Sequence, residues 1–250
     1  MIQKNKIEEL KEILKQFTIE EVLNIERAFD TQFKALRNLY MNLTDKTYFC
    51  TLALYNALIS YQLSGTGESY WLEFSEYFSK RKKIEDPVQD LIAFLTVSKF
   101  NSRIKAPKIS RLEKLRILSD TIAKNELKYA ENPKILQYEI SRKLKSKPNS
   151  KTIVFSIKMF NYACRIKYNR VFILPFDINI PVDLRISRIS KRLGIERNIE
   201  QFWNNIAQEV RIPPLHLDSL LWVTLGLLKI RRRIIDKKLN MLARFLITIL

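Results

Sequence analysis

Apolar residues recur at helical spacing from the start of the chain: Ile7, Leu10, Ile13, Leu14 and Phe17 share one face of a 3.6-residue period. Thr18-Ile19-Glu20-Glu21 then reads as a capping box, a threonine answered by a glutamate one turn on. The pattern Ala28, Phe29, Gln32, Phe33 and Leu36 predicts one long helix after it. Another helix is predicted over about 48–63, stopped by Ser64-Gly65-Thr66-Gly67, and a short aromatic one over 68–79. Asp86-Pro87, a cap followed by an N1 proline, opens 88–100. The polar, basic, proline-bearing stretch 101–109 reads as a linker, and Ser110-Arg111-Leu112-Glu113 as a second capping box.

In the second half, Asn132-Pro133 starts a helix that ends near Lys145. A short polar hairpin follows, and Lys151 begins a strongly apolar helix. Residues 168–182 carry Val171-Phe172-Ile173-Leu174 and two prolines, and read as an ordered loop. Asp183 can cap 184–193, which Gly194 ends as a C′ glycine does. Pro213-Pro214 breaks the chain before 216–229, and an amphipathic helix, basic on one side, is predicted from Arg231. The expected fold is all-α in two helical subdomains. One covers 1–100, with the C-terminal helices as further members. The other covers 101–250, with a helix–hairpin–helix at about 133–167 and a loop segment at 168–193.

Composition narrows the function classes. Only 4 glycines in 250 residues leave little room for tight turns and favour helix. A net charge of +18 favours a polyanionic partner: DNA, RNA or an anionic membrane. The most apolar run, 215–228, contains His216 and Asp218 and is too short to span a bilayer, so no membrane partner is expected. The N-terminus, charged and amphipathic from Lys4 to Lys15, does not read as a signal peptide. Cys50 and Cys164 are too few for a four-cysteine zinc or iron–sulfur site and read as buried thiols in a reducing compartment. With one histidine, His216, no metal and no cofactor are expected.

The chemistry concentrates at Lys147-Pro148-Asn149-Ser150-Lys151, where a basic hairpin runs into an apolar helix. Outward-pointing hairpin amides beside a helix start make a phosphate seat, which points to Lys147, Asn149 and Ser150 as backbone contacts for a nucleic acid. A solvated basic face is the plainer alternative. Partial positive charge on first-turn amides disfavours a cation at Lys151 and favours its nucleophilic amine. A lysine buried among Ile153, Phe155 and Ile157 has few uses beyond chemistry or a phosphate contact. Asp183, in the turn that opens the next helix, is a carboxylate that can move protons for it, and a plain helix cap as well.

These segments together resemble a known family. The order helix, hairpin, lysine, helix, loop, Pro-Val-Asp, helix is similar to the helix-hairpin-helix DNA glycosylases. More narrowly, Lys151-Thr152-Ile153-Val154-Phe155, Lys158-Met159-Phe160, Ile180-Pro181-Val182-Asp183-Leu184-Arg185 and Ile212-Pro213-Pro214-Leu215-His216-Leu217-Asp218-Ser219 resemble the archaeal 8-oxoguanine DNA glycosylase/lyase family (AGOG). The hairpin departs from the wider superfamily in lacking glycines, so Pro148-Asn149-Ser150 is expected to make the turn with Asn149 left-handed.

The resemblance implies an active site in the cleft between two subdomains. It makes Lys151 the nucleophile on the sugar C1′, with a Schiff base and strand nicking to follow, and Asp183 its proton-moving carboxylate. It also implies Phe155 and Trp222 as walls around an extruded base, with Gln32, Trp71 and Asp218 at its polar edge. Phe155 and Trp71 read equally well as core, and Gln32 as a surface glutamine. The implied partner is double-stranded DNA containing 8-oxoguanine, with single strands left open. The implied protein is a monomer, cytoplasmic and associated with the nucleoid. Two other readings stay open: a non-catalytic helical nucleic-acid-binding protein with the hairpin as a phosphate clamp, and a glycosylase without lyase activity.

Overall fold

The computed structural model describes residues 2–81, 83–229 and 236–250, and every regular element among them is a helix. In chain order these are α1 (Ile2–Leu14), α2 (Ile19–Phe29), α3 (Thr31–Asn42), α4 (Phe49–Ile59), α5 (Gly67–Arg81), α6 (Pro87–Val97), α7 (Lys105–Leu115), a 3₁₀ turn (Arg116–Leu118), α8 (Ser119–Lys124) and α9 (Glu126–Glu131). There follow α10 (Pro133–Leu144), α11 (Lys151–Tyr168), α12 (Leu184–Arg192), α13 (Ile199–Val210), α14 (Pro214–Lys229) and α15 (Lys237–Ile249). None of them is long and apolar enough to cross a membrane. The start of the last helix predicted from Arg231 lies outside the described residues. Two compact units result: one joins the N-terminal segment through Asp30 to Leu174–Leu250, and the other is Thr31–Ile173. Residue 100, where a seam was expected, lies within the second unit, in which α6 packs on α7.

In the first unit, α1 and α2 lie against α13, α14 and α15. Leu10, Leu14, Val22, Ile206, Leu217 and Leu246 are buried in one core, with Trp203 among them. The Trp203 indole N–H donates to Ser190 Oγ at 2.8 Å, so the largest core ring leaves no polar atom unmet. The loop that enters this unit is pinned at its start. The Leu174 amide donates to His216 Nε2 at 3.1 Å, and His216 Nδ1 lies 2.8 Å from Glu26 Oε1, with both side chains fully buried. With Nε2 accepting, the ring proton sits on Nδ1 and is donated to Glu26. One chain of bonds therefore ties the loop to α14 and α2.

The second unit is built around α4 and α11. Every residue of α4 is buried, as suits a helix that is apolar all round. From Ile153 to Arg165, α11 is buried except at Phe155, and it packs on α4, α3, α9 and α10. Cys50 and Cys164 meet where α4 crosses α11, with sulfurs 3.7 Å apart as free thiols. Burial, and next the neighbouring Cys164, push the Cys50 thiol well up.

Several predicted boundaries move, each for a local reason. The long helix through 19–36 breaks at Asp30, whose extended backbone (ψ 118°) separates α2 from α3. The helix expected to reach residue 63 stops at Ile59, and Gln62 turns left-handed (φ 47°). The stretch read as a linker holds the start of α7, entered through left-handed Ile104. Its Lys108 is fully buried and donates to Asn101 Oδ1 and, at 2.9 Å, to the Arg103 carbonyl. Ser110–Glu113 falls inside that helix and caps nothing. A basic, proline-bearing run reads as a linker because the partners of Lys108 are invisible in one dimension.

His216→Ala removes one bond to a charged group and orphans the Leu174 amide. A stability loss of about 3 kcal/mol is expected, read from urea unfolding midpoints. A loss under about 1 kcal/mol would mean that the buried pair does not hold the loop.

Candidate active site

At the mouth of α11 the backbone turns through Lys147–Ser150, with the Ser150 amide bonding the Lys147 carbonyl at 2.9 Å. Pro148 and Asn149 take the two central positions of this turn, which suit them. Asn149 is not left-handed as expected; Lys145 is (φ 51°), one turn earlier, where α10 ends. Gln137 Nε2 holds the Pro148 carbonyl at 3.1 Å and Ser141 Oγ the Ser146 carbonyl at 2.6 Å, so the hairpin is braced from α10. Lys147 and Asn149 are exposed. Ser150 precedes the helix but makes no side-chain cap, and its buried hydroxyl has no hydrogen-bond partner among the described residues. The mouth of α11 is thus left open to an anion. Beside it, Lys114, Arg116, Arg142, Lys143 and Lys145 line a depression of about 800 Å³ with Glu113 and Ile117.

Lys151 is the first residue of α11 and is exposed, not buried among its apolar neighbours. At that position the side chain projects from the helix end, while Ile153, Val154 and Ile157 turn inward. Lys158, two turns along α11, is buried, with Nζ 5.9 Å over the Tyr162 ring. Phe155, one turn beyond Lys151, is half-buried and meets Trp71 edge-on at 6.2 Å between ring centres. Trp71 is 1% exposed, within an aromatic cluster that includes Tyr70 and Phe74. Gln32 is buried rather than a surface residue.

Asp183, Asp218 and Trp222 belong to the first unit. Asp183 caps α12: its Oδ1 accepts the Arg185 and Ile186 amides, each at 2.9 Å. Gly194 closes the same helix with φ 79°, and the Ile195 amide bonds the Ser190 carbonyl at 2.8 Å, as a C′ glycine does. Asp218 and Trp222 lie one turn apart on α14, the first with its side chain 3% exposed and the second half-buried. What brings these three together is Arg185, which residue-type reasoning passed over. Its Nη2 donates to Asp183 Oδ2 and lies 3.9 Å from Asp218 Oδ1, and its Cζ sits 3.8 Å from the Trp222 ring centre. The signal in the sequence was its place two residues after the cap, one helical step from the carboxylate.

A model of the AGOG family, described as N-glycosylase/DNA lyase, matches residues 11–246. The N-glycosylase/DNA lyase of Thermococcus kodakarensis is 43% identical over 223 residues, covering 88% of this chain and 84% of the relative. That of Methanococcus maripaludis is 38% identical over 224 residues, covering 88% of each. Among solved structures, the 8-oxoguanosine complex of the 8-oxoguanine DNA glycosylase from Pyrobaculum aerophilum superposes with a TM-score of 0.81. Its identity is 29%, and the match covers 96% of both chains.

The two rings at this mouth should separate by burial. Trp71→Ala should cost about 3–5 kcal/mol and Phe155→Ala clearly less, both measured by denaturant unfolding. Equal losses would make Phe155 core rather than an available wall.

Proposed function

The chain belongs to the AGOG family of N-glycosylase/DNA lyases, and from that membership we propose that it excises 8-oxoguanine from DNA and then nicks the strand. The observation that supports this most is an exposed lysine at a helix mouth without a side-chain cap, preceded by a basic hairpin and followed one turn on by an available aromatic face. Lys147, Asn149 and Ser150 are assigned to the DNA backbone. The protein is assigned as a monomer acting on duplex DNA in the cytoplasm, at the nucleoid, where its charge of +18 favours the polyanion.

Lys151 attacks C1′ of the damaged nucleotide with its amine lone pair. The bond from C1′ to the base breaks, and its electron pair leaves with the base, which takes up a proton. Loss of the amine proton and opening of the sugar ring give a Schiff base between Lys151 Nζ and C1′. Loss of a C2′ proton then expels the 3′ phosphate, which cuts the strand, and water frees the lysine. Asp183 is assigned to accept the lysine's proton and to stabilise positive charge developing on the sugar. Phe155 and Trp222 are assigned to stack on the extruded base, and Gln32, Trp71 and Asp218 to its polar edge. A carboxylate suits that edge, because the N1, N2 and N7 hydrogens of 8-oxoguanine are donors.

Lys151→Gln should abolish excision and borohydride trapping with the fold and DNA binding retained. Trapping that persists in this variant would move the nucleophile elsewhere. Asp183→Asn should keep α12, since asparagine caps about as well, yet slow single-turnover excision by orders of magnitude. Unchanged excision would leave Asp183 a cap and nothing more.

Replacing Phe155 or Trp222 by alanine should weaken binding of damaged duplex by about ten- to a hundredfold, the worth of one stacking wall. A gel-shift comparison with undamaged duplex checks this. Equal losses on both duplexes would show that these rings build the fold and not a base pocket.

A further inference from the structure

We propose that Arg185 is a planar latch: it covers the stacking face of Trp222 and holds Asp183 until an extruded base takes its place. The inference rests on the reading of Trp222 as a base wall and Asp183 as the proton-moving carboxylate. At 3.8 Å from the ring centre the guanidinium is in van der Waals contact with the indole, and no base fits between them. A guanidinium is flat, weakly hydrated and cationic, and it stacks on the same kind of surface that a purine uses. Arg185 and a base on that face of Trp222 are therefore mutually exclusive.

The bonding around Arg185 suits a resident that leaves. Its Nη1 is buried with no hydrogen-bond partner among the described residues, an unfinished contact that a permanent ion pair would satisfy. Its side chain is 22% exposed, which gives it a way out. The division of labour at Asp183 makes the exchange productive. Oδ1 is held by the backbone amides of Arg185 and Ile186, which stay where they are when the side chain moves. Oδ2 is held by the guanidinium. Departure of the side chain thus frees one carboxylate oxygen while the cap keeps the carboxyl group in place. Arrival of the base and release of the catalytic carboxylate become one event, and a base that holds the pocket weakly leaves the latch shut.

The test uses Lys151→Gln protein, which keeps the DNA intact, with Arg185→Lys or Arg185→Met added. Equilibrium binding compares duplex containing 8-oxoguanine with the matched guanine duplex. With the planar cation gone, binding of the damaged duplex relative to the undamaged one should tighten by about two- to fivefold in both variants, the affinity equivalent of an exposed cation–π contact. The gain should vanish when Trp222→Leu is also present. If the preference for damaged duplex is present but fails to rise, or falls, in either variant, Arg185 is a fixed support and the latch is wrong. If protein with Arg185 intact shows no preference for the 8-oxoguanine duplex, the parent reading fails and takes the latch with it.

Discussion

A helix buried along almost its whole length can meet solvent only at its ends, and α11 is such a helix. Its side chains from Ile153 to Arg165 are held by α4, α3, α9 and α10, with Phe155 the exception. Lys151, at its first position, is accordingly the place where this rigid element reaches the outside. A nucleophile carried there is placed by the core rather than by a loop, which is what precise chemistry requires. The hairpin before it is braced by Gln137 and Ser141, so the turn inherits the same rigidity.

The mouths of α11 and α12 are treated in opposite ways. The mouth of α12 is closed by a carboxylate that also answers to an arginine, whereas the mouth of α11 lacks a side-chain cap. On the proposed reading the open mouth seats a phosphate and the capped carboxylate is a base held still. The loop between them is anchored where it enters the first unit by the Leu174, His216 and Glu26 bonds. The single histidine of the chain is thereby accounted for as a buried strut.

Much of this was legible in one dimension because it depends on local chemistry. Asp86, Asp183, Gly194 and the proline at 133 mark helix ends by rules that act within a turn, and the helices begin and end there. The residues of the family motif were named through the resemblance of short contiguous segments. What stayed hidden depends on backbone turns and side-chain partners that residue type alone does not mark. α13 was not marked because it starts from left-handed Asn198 with no side-chain cap, although Trp203, Ile206, Ala207 and Val210 have helical spacing. The stretch holding Lys108 reads as a linker until Asn101 and the Arg103 carbonyl are seen around it. The exposure of Lys151 and the stacking of Arg185 on Trp222 are likewise tertiary facts.

The covalent bond to the sugar is assigned to Lys151. The most direct measurement is peptide mapping by mass spectrometry of the protein–DNA adduct reduced with borohydride on an 8-oxoguanine duplex. The residual sugar mass should lie on Lys151 alone. The same mass on Lys147, Lys158 or any other amine would contradict it.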